Sequence, residues 1–488
     1  MPILIVLLLT AACAKVPWPA PPLGIGASGS ITITAFLFLL PIGATAILTR
    51  WTTSALRNDP ERRAEVGTIY SRYRRNIGYA NLFIAILTIV GLGWGWSVWH
   101  RTHILYDGHE RIAPLAELLV PAPYILTICI IWLLHYDAER AFHESAIGTA
   151  LHSFWTRFGH FAYNFRPFAF LVMFPVGMFS GQQTFIRYAP EWADHDLTMW
   201  AGLLVVPLLF VFLPLMVRPV LGLKPMPPGP DRERLEALAK TWKFRYRDLL
   251  IWPTRGGMAN ALVVGVVPQA RYIVFTDKLL DTLAPDELDA VFGHELGHAK
   301  HWHIPYYAAF FTVSAVATAV GVGVLFHEAV HADWIDARAW EPWAGLPPLA
   351  ALGAYIFVVF GFLSRRCERQ ADIYGCRVVS GGLPVTRDGV NAMIRALERV
   401  ADMNGMDAAN TRKRLPFFKR FWAMLKSWQH GTIAERIHFL VDLADNPQME
   451  LAVQRRTFLL RCGLFLGLFA ILIGLGFWVG WRDFAKLM

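Results

Sequence analysis

Pro285-Asp-Glu-Leu-Asp-Ala-Val-Phe-Gly-His294-Glu-Leu-Gly-His298 runs, a few residues later, into an unbroken apolar stretch over 305–326. The first part has the marks of a helix start. Proline is favoured at the first helical position, and Asp286 and Glu287 suit the positive end of the helix dipole. Leu288, Val291 and Leu296 continue an apolar face, so a helix is expected from Pro285 to about Trp302. The second part is long enough to cross a bilayer, which takes about 20 apolar helical residues. A polar, titratable helix abutting a membrane span decides how the rest of the chain is read.

Seven more apolar runs are found, at 29–48, 77–98, 115–135, 166–181, 197–217, 347–364 and 458–481. The run at 166–181 is interrupted by Arg166, Pro167 and Pro175. The chain of 488 residues is 55% hydrophobic and only 17% charged, against about 25% charged in soluble proteins. Its mean hydropathy of +0.38 agrees. The expected fold is a mainly α, multi-pass helical membrane protein with about eight spans and a small cytoplasmic α+β domain. Residues 1–28 read as a leader or extracytoplasmic segment, in which Thr10-Ala-Ala-Cys13 faintly resembles a lipoprotein cleavage site.

Lysine and arginine concentrate on the cytoplasmic side of membrane proteins. Residues 50–76 hold seven arginines, from Arg50 to Arg75, so that loop is expected inside. Counting onward puts 182–196 and 327–346 outside and 218–304 and 365–457 inside. The domain plan is then 1–28, a five-span region over 29–217, one half of a soluble domain over 218–304, a membrane hairpin over 305–364, the second half over 365–457, and a last span in 458–488. The net charge of +9 comes mostly from the cytoplasmic blocks. It fits topology and anionic lipid, and no motif points to nucleic acid. The five cysteines form no CxxC pair, so neither a structural disulfide nor a cysteine metal site is expected.

In the first soluble piece, the proline-rich Lys224–Pro230 reads as a linker and 231–242 as a charged helix. Asn260–Val267 and Arg271–Thr276 read as strands around a Pro268-Gln-Ala turn. The second piece opens with the helix Ser364-Arg-Arg-Cys-Glu-Arg-Gln-Ala-Asp-Ile-Tyr-Gly375. A membrane hairpin returns the chain to the side it left, so this helix can meet the one carrying His294. Arg412–Trp428 alternates basic and aromatic residues and suits a helix in the headgroup region.

Two histidines four residues apart lie on one helix face, and both His294 and His298 can reach one zinc ion. Glu295, beside the first ligand, is placed to take a proton from an attacking water. A site of this kind needs a third protein ligand and one open position. Glu368 is the candidate, and Asp372, one turn on, is expected to accept a hydrogen bond from the far nitrogen of His294. A further ligand six residues beyond His298 is excluded, because position 304 is isoleucine. His301 and His303 are read as interfacial or structural.

These residues resemble the membrane zinc metallopeptidases of the CAAX prenyl protease and HtpX family, which are gluzincins. Asn260-Ala-Leu-Val-Val-Gly265, His294-Glu-Leu-Gly-His298, Ser364–Asp372 and His430-Gly-Thr-Ile-Ala-Glu-Arg436 stand in that family's order. The resemblance covers about 220–440 and implies one Zn2+ held by His294, His298 and Glu368, with Asp372 in support. It also implies that the strand with Asn260, Ala261 and Gly265 binds an extended peptide, and that His430 and Arg436 assist near the metal. The family commonly has proline where this chain has Gly431. The implied activity is a zinc endopeptidase acting on membrane-associated proteins or peptides. The alternative is a receptor or transporter that only binds zinc, for which Glu117 and Arg166 in the apolar region speak and an intact Glu295 speaks against.

Overall fold

A computed structural model describes residues 5–7, 9–10, 27–88, 120–147, 156–189, 214–254, 258–340, 343, 346–404, 430–446 and 448–480. It is mostly helical, and its contacts divide it into two compact units, Met1–Leu203 with Asp333–Leu349, and Leu204–Ala332 with Ala350–Met488. The basic-aromatic segment 412–428 and Glu117 lie outside the described residues, as does most of 1–28.

The first unit holds α1 (Ala27–Asn58), α2 (Arg63–Ile86), α3 (Ala122–Ile147), α4 (Arg157–Phe168) and α5 (Phe174–Tyr188). Phe38, Ile84, Ala85 and Tyr124 bury one apolar cluster between α1, α2 and α3. Between α4 and α5 the helix widens to π geometry over Ala169–Met173. Pro167 explains the site of this defect, since proline cannot donate to the preceding turn.

The second unit contains β1 (Lys224–Pro225), α6 (Pro230–Thr241), β2 (Asp248–Trp252), β3 (Ala261–Val264), β4 (Tyr272–Thr276), α7 (Asp277–Thr282), α8 (Pro285–Lys300), α9 (His303–His331), α10 (Leu346–Tyr355), α11 (Gly361–Val379), α12 (Arg387–Met403), α13 (Ile433–Asp445) and α14 (Met449–Val479). The strands form one sheet in the order β1-β2-β4-β3. β2 runs parallel to β4, while β1 and β3 pair antiparallel with β2 and β4.

Two expectations are corrected here. The proline-rich start was read as pure linker, yet Lys224 and Pro225 add a short edge strand opposite Ile251 and Leu250. Asp248–Trp252 was not read as a strand at all. It is preceded by Arg245 and Arg247, which hid a short fully paired strand among charges. The strand expected over Asn260–Val267 stops at Val264, because Gly265 takes φ +111. A Cβ there would stand 2.3 Å from Ala270 O, so only glycine fits this exit.

Alternation sorts the sheet's side chains. Leu249, Ile273 and Phe275 pack with Leu288, Phe292 and Leu296 of α8. Leu250, Tyr272 and Val274 face the other way, against Val217 and Leu223. The sheet thus supports α8 along its apolar face and leaves its polar face to α11.

Among the described residues, four helices are long and apolar enough to cross a membrane: Ile31–Asn58, His303–His331, Leu346–Val379 and Met449–Trp478. They coincide with the runs at 29–48, 305–326, 347–364 and 458–481, and the chain is an integral membrane protein. The runs at 77–98, 115–135 and 197–217 extend outside the described residues. That at 166–181 is helical and carries the π segment. Phe310 and Ala317 of α9, Leu363 and Cys367 of α11, and Leu468 of α14 bury one another in a shared cluster. The helix of the third span runs on, through a π stretch at Ile356–Phe360, into α11. The four described cysteines, Cys129, Cys367, Cys376 and Cys462, are unpaired.

Candidate metal centre

α8 starts as its sequence dictates. Pro285 occupies the first turn, and the Glu287 carboxylate accepts from the Ala284 N–H at 3.0 Å. It ends at Lys300, before the expected Trp302, because Trp302 adopts a left-handed φ of +56 and separates α8 from α9.

α8 and α11 lie unusually close, and glycine is the reason. A Cβ on Gly293 would be 2.9 Å from Gly375 Cα, and one on Gly297 would be 2.9 Å from Ala371 Cα. A Cβ on Gly375 would be 2.7 Å from Ala290 O. These small residues, four apart on each helix, form one seam along both facing stripes. Gly297 and Gly375 lie inside the two motifs without being ligands. Their spacing, with Gly293 and Ala371, was the available signal.

The close seam brings the polar residues together. His294 Nε2 and His298 Nε2 are 3.1 Å apart. Glu368 Oε2 lies 3.7 Å from His294 Nε2, and Glu368 Oε1 lies 3.5 Å from His298 Nε2. One donor atom from each residue falls within 4.8 Å of the others, a grouping that can hold a metal ion. Glu368 Oε2 is buried and accepts no hydrogen bond, which is costly unless another partner exists. Two imidazole nitrogens and one carboxylate, with an uncommitted buried oxygen among them, fit a divalent cation of the zinc type.

Charges behind the triad are balanced. His294 Nδ1 stands 2.9 Å from Asp372 Oδ1. Arg436 grips the same carboxylate in a two-pronged pair, Nε to Oδ2 at 2.9 Å and Nη2 to Oδ1. Its Nη1 is 3.7 Å from Glu368 Oε2. α13 delivers Arg436, and Thr432 caps that helix reciprocally with Glu435. His430, 68% exposed, places Nδ1 3.0 Å from Glu368 Oε1.

Burial pushes His298 down to about 4, aided by the neighbouring His294 charge. Its imidazole is therefore neutral at pH 7, as a metal ligand must be. For His294 burial acts against the charge, but the hydrogen bond and charge of Asp372 outweigh it and raise its pKa. Burial lifts Glu295 to about 7, which suits a group that takes and returns a proton near neutrality.

Glu295 points to the sheet edge, where its Oε2 accepts from the Val263 N–H at 3.0 Å. β3 is an outer strand. Thr276 N–H donates to Asn260 O at 3.0 Å, so Asn260 bonds inward to β4. Alternation along an antiparallel pair then turns the backbone of Ala261 and Val263 outward. Asn404 fixes the approach to this strand with two hydrogen bonds to the backbone of Ala259, at 3.0 and 2.8 Å. Sequence reasoning did not single out Asn404, which carries no motif around it.

Comparison with known proteins follows the same residues. Residues 232–441 match the model of Peptidase family M48. The CAAX prenyl protease 1 homolog of Arabidopsis thaliana is 30% identical over 112 residues, 22% of this chain and 26% of that protein. The protease HtpX homolog of Thermoplasma acidophilum is 28% identical over 161 residues, 32% of this chain and 46% of that protein. The chain thus spans a quarter to about half the length of these relatives. The crystal structure of S. mikatae Ste24p has a TM-score of 0.49 and 17% identity, covering 84% of this chain and 98% of that one. The segment 232–441, which matches the model of Peptidase family M48, contains every residue of the site from Asn260 to Arg436.

Proposed function

We propose that this protein is a zinc-dependent endopeptidase of the membrane, hydrolysing peptide bonds in membrane-associated proteins or peptides. The observation that carries the reading is that Glu295 stands on the same helix as His294 and His298 while its carboxylate touches the outer edge of β3 through Val263 N–H. A site for binding alone needs neither that carboxylate nor that edge.

His294, His298 and Glu368 are the residues that would hold Zn2+. A zinc ion so bound lowers the pKa of water and polarises a carbonyl. The rest is the work of side chains and backbone. An extended peptide adds to β3 as a further strand, pairing with the outward groups of Ala261, while Val263 N–H stays with Glu295. Gly265 ends that strand and turns the chain away, and Asn260 holds its inner side. Glu295 takes a proton from the attacking water and later delivers it to the leaving amine. Asp372 orients His294 and is itself held by Arg436. His430, the exposed imidazole beside Glu368, supplies a donor for the developing oxyanion, a contribution of roughly 3–4 kcal/mol in comparable sites.

Eight spans, the domain boundaries set out above, and a site on the cytoplasmic side belong to the same proposal. The last rests on the arginines of 50–76 and the basic residues of 365–457. The test is elemental analysis of purified protein with cleavage of an unfolded test protein, before and after chelation. About one zinc per chain, loss of cleavage on chelation and recovery on zinc addition support the proposal. Cleavage that survives complete zinc removal overturns it.

A further inference from the structure

The two histidines of α8 are supported differently. His294 meets the charged Asp372. His298 meets another histidine. The left-handed turn at Trp302 folds His303 back, so that its ring centroid lies 5.0 Å from that of His298. His303 is fully buried. Its Nδ1 is 3.0 Å from His298 Nδ1, and its Nε2 is 3.2 Å from Gln370 Oε1. Gln370 Nε2 in turn donates to Gln454 Oε1 at 2.6 Å. The row draws on α8, α9, α11 and α14.

Its protons can be placed from the far end. Gln370 commits its amide nitrogen to Gln454 and so presents its oxygen to His303. His303 Nε2 must then carry hydrogen. A neutral imidazole has one donor and one acceptor, so His303 Nδ1 accepts and His298 Nδ1 donates. That leaves the lone pair of His298 on Nε2, the nitrogen that faces His294 and Glu368.

We propose that His303, held by Gln370 and Gln454, is a positioning residue that sets the tautomer and ring orientation of His298 for metal binding. The inference rests on His298 being a metal ligand. It gives a role to a histidine that lies five residues beyond the metal motif. A neutral acceptor orients the ring without adding a second buried negative charge beside Asp372, and it ties the ligand to α9, α11 and α14.

The test uses the full-length chain in detergent. Zinc dissociation constants are measured by competition with a chromophoric chelator for wild type, His303→Phe, Gln370→Leu and His298→Ala. Each is measured at a temperature where circular dichroism shows the variant folded. Loss of an outer hydrogen-bond partner of a ligand typically weakens metal binding 10- to 100-fold. His303→Phe is expected to fall in that range and Gln370→Leu to weaken binding in the same direction. A merely structural role would lower the melting temperature and leave the constant of the folded protein unmoved. If His298→Ala loses zinc while the other two variants bind within twofold of wild type, the proposal is overturned and the ligand assignment stands. If His298→Ala itself binds as wild type, the ligand assignment is overturned, and the proposal with it. Should His303→Phe fail to fold, Gln370→Leu decides the matter alone.

Discussion

Glu295 Oε2 accepts a hydrogen bond from the backbone N–H of Val263 at 3.0 Å. This contact joins the polar face of the helix that bears His294 and His298 to the outer strand of the sheet. A peptide added to β3, as proposed, would lie beside the carboxylate that takes the proton of the attacking water. In the proposed function the contact would separate two jobs that share one edge, because Val263 turns its N–H to Glu295 while the outward groups of Ala261 would take a partner.

Ala261→Pro tests that separation. Proline is tolerated on an outer strand where its missing N–H faces away from the sheet. The variant should melt within a few degrees of wild type, while KM for an unfolded substrate rises about tenfold, the loss of roughly one hydrogen bond of about 1.4 kcal/mol. Equal KM values would show that substrate does not pair there.

Folding stability of the metal-free protein should depend on Glu295. Its carboxyl titrates at about 7 when folded, raised by burial, against about 4.3 in an unfolded chain. Between those values the unfolded state sheds its proton first. The contribution is fully present below pH ~4 and is lost as pH rises through about 7. The full span is worth up to about 4 kcal/mol. Glu295→Gln has no such proton, so in chelator it should gain stability relative to wild type as pH climbs from ~4 to ~7.5. Chemical denaturation at both pH values measures the difference.

The glycine seam makes a prediction of sign. Alanine in place of glycine within a helix ordinarily stabilises by ~1 kcal/mol. At Gly297 the added Cβ would meet Ala371 Cα at 2.9 Å, and crowding of that kind costs about 1–3 kcal/mol. Gly297→Ala should therefore destabilise, and it should weaken zinc binding by forcing α11 and its Glu368 away. Tight binding with a higher melting temperature would contradict the seam.

Arg436→Met leaves the Asp372 carboxylate buried without its cation. Breaking a buried pair in this way costs about 3–5 kcal/mol. The double variant Arg436→Met/Asp372→Asn removes both charges and should recover most of that loss in a melting experiment, though not the zinc affinity that Asp372 lends to His294.

Much of the site was legible because its parts are local. His294 and His298 share a helix face by spacing alone, and Glu368 and Asp372 do so on α11. The pairing of α8 with α11 was reachable through the membrane hairpin between them. What escaped notice depends on tertiary contact. β2 is short and flanked by arginines, so its pairing with β4 left no alternation to read. The link from His303 to His298 requires the left-handed turn at Trp302, which no propensity indicates for tryptophan. The resemblance places Arg436 only as an assistant near the metal, and in the fold it grips Asp372. That engagement is invisible until α13 is packed against α11.

In the proposed function Glu295 moves the proton in a zinc-dependent cleavage. Glu295→Gln keeps the shape and removes the base. Zinc content and cleavage rate, measured side by side for wild type and variant in detergent, test it most directly. About one zinc is expected in each, with cleavage in the variant reduced by about 10²–10⁴-fold. A variant that binds zinc and cuts at the wild-type rate would contradict it.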